Sequence, residues 1–165
     1  MKVVGICGSA SENSTNAKLL AELWISSSHL FSGMTSPSLR NLPMFLPEQQ
    51  SAPLPDEVQE LADLIQSADV VFIATPEYNA NIPAVLKNMF EWLTVSGVFH
   101  EKRVIAITFT PRAPRGESAM ASLRNTLKSL KANVLVEIPC YKDEIIHDGE
   151  IVITEELKAV LEMVL

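Results

Sequence analysis

The sequence predicts an α/β fold, in which helices cover both faces of a parallel sheet. Apolar runs alternate with helical patterns along the whole 165-residue chain, as is typical of this class. The runs are apolar on successive residues, as in Val70–Ala74, which indicates strands buried on both faces. The length suits one domain, and no repeat or linker interrupts the pattern, so we expect a single domain over residues 1–165.

Five strands and five helices account for the pattern. Residues 28–55 are Ser/Pro-rich, and their secondary-structure pattern is weak. The predicted strands are Lys2–Cys7, a short one near Thr35–Leu39, Asp69–Thr75, Arg103–Thr110 and Asn133–Ile138. The predicted helices are Ser14–Ser27, Asp56–Ser67, Pro83–Val95, Ser118–Lys131 and Glu155–Leu165. Five strands in this length fit a three-layer fold with strand order 2-1-3-4-5, the flavodoxin-like order.

Helical spacing predicts which side of two helices faces the core. In the first helix, the predicted core face consists of Ala17, Leu20, Ala21 and Trp24. The helix Pro83–Val95 has more apolar residues than one buried stripe needs: Met89, Phe90, Trp92 and Leu93. Such a surplus favours a self-complementary surface, so we expect a homodimer or homotetramer.

Composition excludes several function classes. A net charge of −7 argues against nucleic acid as a partner, because phosphate backbones need a basic face. The longest apolar runs are too short to cross a bilayer, and the N-terminus lacks signal-peptide features, so we expect no membrane association and a cytoplasmic location. Two distant cysteines and three scattered histidines predict neither a disulfide nor a metal site, and Cys7 is expected to be a buried free thiol.

Ligands of open α/β sheets bind beyond the carboxyl ends of the strands, where the strand order reverses. The loop after the first strand is rich in hydroxyls and amides and suits a phosphate at a helix N-terminus. It lacks the lysine of a Walker A loop and the spaced glycines of the dinucleotide fingerprint. Its candidate residues are Ser9, Ser11, Ser14, Thr15 and Asn16. The alternative is a turn that only caps the helix.

Two further loops belong to the same edge. After the third strand come Pro76, Glu77, Tyr78 and Asn79, where the tyrosine can offer a flat face to an aromatic ring. The alternative is a Pro-bounded turn with a surface tyrosine. The loop after the fourth strand holds two arginines, and its alternative interpretation is a solvated basic turn. Its candidates are Thr110, Arg112, Arg115 and Gly116.

Two motifs carry a family resemblance. Gly8-Ser9…Ser14-x-Asn16 resembles the FMN phosphate loop of the NAD(P)H-dependent FMN reductase family, which includes quinone, chromate and azo reductases. Pro76-Glu77-Tyr78-Asn79…Pro83-x-x-Leu86-Lys87-Asn88 resembles that family's isoalloxazine loop and the helix after it. The resemblance covers about residues 1–140. The chain departs from the family pattern in having Ser11 where arginine is common, and Gly116-Glu117 where a glycine pair is usual.

The resemblance implies a flavodoxin-like FMN-binding domain. Ser9, Ser11, Ser14, Asn16 and the Thr15 amide would hold the phosphate, and Pro76–Asn79 would line the flavin ring. Thr110, Arg112 and Gly116 would meet the flavin's polar edge or a nicotinamide nucleotide. FMN, not FAD, is the expected cofactor, because the loop suits one phosphate.

The implied activity is NAD(P)H-dependent reduction of a small acceptor through bound FMN, with NADPH or NADH as co-substrate. The acceptor would be free flavin, a quinone, an azo compound or a metal oxyanion. No side chain is predicted to be catalytic, and Glu77 is expected to shape its loop. One alternative is an FMN-binding electron-transfer or regulatory protein that NAD(P)H does not reduce. Another is an interaction domain without flavin.

Overall fold

A five-stranded parallel sheet of order β2-β1-β3-β4-β5 organises the chain. The computed structural model describes residues 1–49 and 53–165. The strands of the sheet are β1 (Lys2–Cys7), β2 (Gly33–Thr35), β3 (Val70–Thr75), β4 (Arg103–Thr110) and β5 (Asn133–Tyr141). The helices are α1 (Thr15–Ser26), α2 (Asp56–Ser67), α3 (Ala84–Leu93), α4 (Glu117–Ser129), α5 (Lys142–Ile145) and α6 (Glu155–Val164). The predicted three-layer fold and strand order are confirmed.

Each face of the sheet has its own apolar core. Alternate residues of β3 point to opposite sides, so Val71 and Ile73 join one cluster while Val70 and Phe72 join the other. The first cluster packs α2, α3 and α4 on one face, and the second packs α1 and α6 on the opposite face. All six residues of β3 are buried, as the continuous apolar run predicts.

The core face of α1 differs from the prediction. Ala17 and Ala21 are exposed, and the buried positions are Asn16, Leu19, Leu20 and Leu23. The larger leucine side chains bury more apolar area than alanines, so they set the rotation of the helix. Trp24 is half-buried and stacks on Phe31 with ring centroids 5.7 Å apart.

The second strand lies earlier than predicted. β2 spans Gly33–Thr35, and its residues pair in parallel with Lys2, Val3 and Val4 of β1. Pro37 has no N–H to donate to a ladder, which explains why the strand does not extend towards Leu39. Leu39 is buried in the first core cluster without belonging to the sheet.

The apolar surplus of α3 is buried within the chain. Met89, Phe90, Trp92 and Leu93 are all at most 2% exposed. The indole N–H of Trp92 donates to the Pro43 carbonyl at 2.8 Å, because residues before α2 fold over this helix. The inference of a self-complementary surface from these residues was therefore wrong. The expected homodimer or homotetramer stays a prediction that rests on the family resemblance.

The chain beyond the predicted fifth strand contains structure that the sequence analysis missed. β5 continues through Pro139 to Tyr141, which an edge strand tolerates. It leads directly into the short helix α5 and a small antiparallel pair, β6 (Ile146–His147) with β7 (Glu150–Ile151). In residues 1–49 and 53–165, no helix has the length and apolar character to span a bilayer.

Candidate functional site

A pocket of about 300 Å³ opens at the carboxyl edge of the sheet, where β1, β3 and β4 end. All three loops identified from the sequence contribute to its wall, as expected at the point where the strand order reverses. The predicted residues that line it are Ser9, Ser11, Ser14, Thr15, Asn16, Pro76, Glu77, Tyr78, Thr110 and Arg115.

Three predicted site residues do not line this pocket. Asn79 lies at the tip of its loop and borders a neighbouring cavity of about 550 Å³, which Tyr78 also lines. Arg112 is exposed on the loop after β4. Gly116 is buried beneath the start of α4, where its role is conformational.

The loop after β1 is organised by its own hydroxyl groups. Ser14 is the N-cap of α1, and its Oγ accepts the backbone N–H of Asn16 at 3.2 Å. The Ser9 Oγ accepts the N–H of Ser11 at 3.3 Å. The first turn of α1 contains no acidic residue, so its positive end stays open to an external anion.

Asn16 carries an unsatisfied polar atom into the pocket wall. The residue is 3% exposed, and within residues 1–49 and 53–165 its buried Oδ1 has no hydrogen-bond partner. A buried acceptor without a donor costs about 1–3 kcal/mol, so native proteins seldom retain one without a reason.

Gly8 allows the loop to lie against the neighbouring strand. A Cβ at this position would lie 2.7 Å from Oγ1 and 2.9 Å from Cβ of Thr75. The Gly8 N–H donates to the Ala74 carbonyl at 2.8 Å, which ties the loop to β3. This close approach fixes the position of the loop relative to the end of β3.

The loop after β3 forms a tight turn that presents an aromatic ring. The backbones of Tyr78 and Asn81 exchange two hydrogen bonds of 3.0 Å. Asn79 and Ala80 between them have φ angles of 51° and 55°, as in a type I′ turn. The Asn81 Oδ1 accepts both the Ile82 N–H and the Ser122 hydroxyl. The Tyr78 ring is thereby held half-exposed, between the pocket and the neighbouring cavity.

Glu77 joins the second loop to the third. Its Oε2 accepts the backbone N–H groups of Gly116 at 3.2 Å and Ala119 at 3.1 Å, so it caps α4. Gly116 has a φ of 109°, and the Thr110 hydroxyl donates to the Arg115 carbonyl. The carboxylate of Glu77 therefore holds two loops together.

The sequence analysis missed four residues of the pocket: Asn13, Phe109, Pro111 and Lys142. Lys142 follows β5, and its Nζ lies 5.7 Å from the ring centroid of Phe109. The Asp143 N–H donates to the Pro111 carbonyl at 3.2 Å, which holds α5 against the loop after β4. The rule on strand ends indicates this position only for the observed end of β5 at Tyr141, whereas the predicted strand ended at Ile138.

The two cysteines are free and differ in environment. Cys7 is half-buried, not buried as expected, because it ends β1 beneath the first loop; its Sγ lies 3.4 Å from the Ser14 Oγ. Cys140 is buried, and burial, followed by the charge of Glu144, raises its pKa to about 12.

Known proteins match this chain over most of its length. The family model for NADPH-dependent FMN reductase matches residues 1–140. The NADH:(hydroxy)cinnamate reductase subunit CrdA of Vibrio ruber is 36% identical over 130 residues, which are 78% of this chain and 63% of that protein. A quinone reductase of Escherichia coli K12 is 34% identical over 95 residues, 57% of this chain and 50% of its own.

The fold also matches a solved structure. FerB of Paracoccus denitrificans, a flavoenzyme NAD(P)H:(acceptor) oxidoreductase, superposes with a TM-score of 0.81 at 23% identity, covering 99% of this chain and 92% of FerB. The aligned regions span between half and two thirds of the length of the two curated relatives. With the family model matched over residues 1–140 and both loop motifs placed at one pocket, the chain belongs to the NADPH-dependent FMN reductase family.

Proposed function

We propose that this chain binds FMN non-covalently in the pocket and acts as an NAD(P)H-dependent flavin oxidoreductase. The acceptor is a small molecule: free flavin, a quinone, an azo compound or a metal oxyanion. The loop of hydroxyls and amides at the start of α1, which lines the same pocket as Tyr78, is the observation that supports this best. The names of the family and its relatives point to the same cofactor and activity.

The phosphate of FMN fits the loop after β1. Ser9, Ser11, Ser14 and the Thr15 amide offer neutral donors, and the start of α1 adds a favourable partial charge. The Asn16 amide can donate from Nδ2 to a phosphate oxygen. A single phosphate suits this loop, so we propose FMN instead of FAD.

The flavin ring fits the wall formed by Pro76, Glu77 and Tyr78. With FMN held there, the flavin ring would supply the redox chemistry that links the nicotinamide to the second substrate. The protein has to hold the ring with one face open and admit the two substrates to it. No protein acid or base is needed, and the Glu77 carboxylate is already bonded to the start of α4.

Nicotinamide binding has a candidate residue on the loop after β4. At least one of Arg112 and Arg115 is expected to meet the dinucleotide through its phosphates, and Arg115 is the one that lines the pocket. An arginine can grip a phosphate with two parallel hydrogen bonds. We propose Arg115 as the dinucleotide contact, with either NADPH or NADH as donor.

The decisive experiment identifies the flavin and then reduces it. Purified protein is analysed by chromatography of the released cofactor and titrated anaerobically with NADPH and with NADH. Bleaching of the flavin absorbance supports the reductase, and a panel of quinones, azo dyes and metal oxyanions then identifies the acceptor. Bound FMN that neither nucleotide reduces would favour the electron-transfer or regulatory protein. A chain that binds no flavin would contradict both.

The oligomeric state, the cellular location and the extent of the domain are also proposed. The family resemblance supports a homodimer or homotetramer. We further propose a cytoplasmic location and one FMN-binding domain over residues 1–165. Light scattering over a range of concentrations tests the assembly, and a monomer at every concentration would contradict it.

A further inference from the structure

The charges that line the pocket are segregated. The residues contributed by the loop after β1 are all neutral: Ser9, Ser11, Asn13, Ser14, Thr15 and Asn16. The cationic residues of the wall, Arg115 and Lys142, come from the ends of β4 and β5. Within residues 1–49 and 53–165, neither cation forms an ion pair with a carboxylate. The third charged lining residue, Glu77, is engaged by the backbone of α4.

The two cations and the loop after β1 stand at different positions along the sheet edge. β1 and β5 are separated by β3 and β4 in the strand order, which makes three strand spacings. At about 4.8 Å each, the ends of β1 and β5 are roughly 14 Å apart. The backbone of Lys142 therefore lies across the sheet edge from the loop after β1.

Backbone contacts place both residues at this end of the pocket, and the Lys142 side chain also meets an aromatic ring. Lys142 is anchored by the Asp143 N–H, which donates to Pro111 at 3.2 Å, and by the buried side chain of Ile145. The Lys142 Nζ lies 5.7 Å from the ring centroid of Phe109, which favours a cation there. The Arg115 carbonyl accepts the hydroxyl of Thr110, which fixes its backbone.

We propose that Arg115 and Lys142 form a second anion subsite, which recognises an anionic group of the substrate that exchanges electrons with the flavin. That group is a phosphate of the nicotinamide dinucleotide or a carboxylate or sulfonate on the acceptor. The inference rests on the proposed function, which places FMN in the same pocket. A chain of net charge −7 repels anions overall, so an anionic substrate needs a local positive region to bind.

The test measures equilibrium binding to oxidised, FMN-loaded protein without turnover. The ligands are NAD⁺, 1,4-naphthoquinone-2-sulfonate and neutral 1,4-naphthoquinone. The variants are Lys142→Gln and Arg115→Gln, and Arg112→Gln is the matched control because it removes the same charge from the same loop outside the pocket. We expect the first two variants to weaken an anionic ligand by about fivefold to tenfold, and Lys142→Arg to retain binding.

The outcomes separate the two sources of the anion. Weakened binding of NAD⁺ alone assigns the subsite to the dinucleotide, and weakened binding of the sulfonate alone assigns it to the acceptor. An equal loss for neutral naphthoquinone, or affinities that match those of Arg112→Gln, would overturn the subsite. FMN affinity, measured separately on flavin-free protein, should be unchanged in all variants. If the wild-type chain fails to bind FMN, the proposed function fails, and the same titrations on flavin-free protein still test the subsite.

Discussion

Asn16 occupies a buried position where an amide is costly until a ligand completes its hydrogen bonds. We expect Asn16→Ala to weaken FMN binding by about 1–2 kcal/mol, because a hydrogen bond to a charged group is lost. The same change should leave folding stability equal or higher, because it removes an unsatisfied acceptor. Fluorescence titration with FMN and urea unfolding of the flavin-free protein measure the two effects. Unchanged flavin affinity would place the phosphate elsewhere.

Ser14 differs from Asn16 because its Oγ already has a structural role as the cap of α1. Ser14→Ala should weaken FMN binding by about 1–2 kcal/mol and also lower the free energy of unfolding by about 1 kcal/mol. FMN titration and urea unfolding again measure the two effects. Ser26→Ala, at the opposite end of α1, is the control for loss of a serine hydroxyl. A Ser14→Ala protein that loses stability but binds FMN normally would leave Ser14 as a cap only.

Cys140 should lower the folding stability of the chain at alkaline pH. Its folded pKa of about 12 lies above the ordinary thiol value, so above about pH 9 the unfolded state loses a proton that the folded state keeps. The free energy of unfolding therefore falls between about pH 9 and pH 12. At pH 11 this thiol lowers it by about 2–3 kcal/mol. Urea unfolding at about pH 8 and pH 11 should show a smaller pH dependence in Cys140→Ala, with Cys7→Ala as the matched thiol control. An equal pH dependence in both would contradict this.

The turn of residues 78–81 holds Ala80 in a backbone conformation that suits glycine better. Ala80 has a φ of 55°, in the left-handed region that favours glycine. Ala80→Gly should therefore raise the free energy of unfolding by about 0.5–1 kcal/mol. The exposed Ala121 in α4 provides the control, because Ala121→Gly is the same chemical change in a helix and should destabilise by about 1 kcal/mol. Urea unfolding compares them; destabilisation by both would show that the turn is not strained.

Elements with a strong pattern were predictable, and those set by tertiary contacts were not. The bounds of α2 and β4 follow from the sequence, because helical spacing and a continuous apolar run are unambiguous there. The buried face of α1 and the position of β2 do not follow from the sequence. Leucines compete with alanines for the buried face of α1, and Pro37 limits the extent of β2. The extension of β5 depends on its edge position, which local sequence does not encode.

At the scale of the whole molecule, the site is built from loops that the strand order brings together. The loops after β1 and β3 could be predicted, because hydroxyls, amides and an aromatic residue follow apolar strands directly. Lys142 could not be predicted from its neighbours, since its position depends on the contact between the Asp143 N–H and the Pro111 carbonyl. Most of the pocket, including Arg115, was thus visible in the sequence, whereas the position of Lys142 depends on folding.

Cofactor binding should stabilise the whole chain, because the pocket joins loops from β1, β3 and β4. FMN at about 100 times its dissociation constant should add about 2.7 kcal/mol of stability, which corresponds to roughly 5–10 °C in Tm for a domain of this size. Riboflavin at the same concentration should stabilise less, since it has no phosphate for the first loop. In Asn16→Ala the advantage of FMN over riboflavin should shrink. Thermal unfolding of flavin-free protein with each ligand measures this, and equal shifts for FMN and riboflavin would show that the loop after β1 does not bind the phosphate.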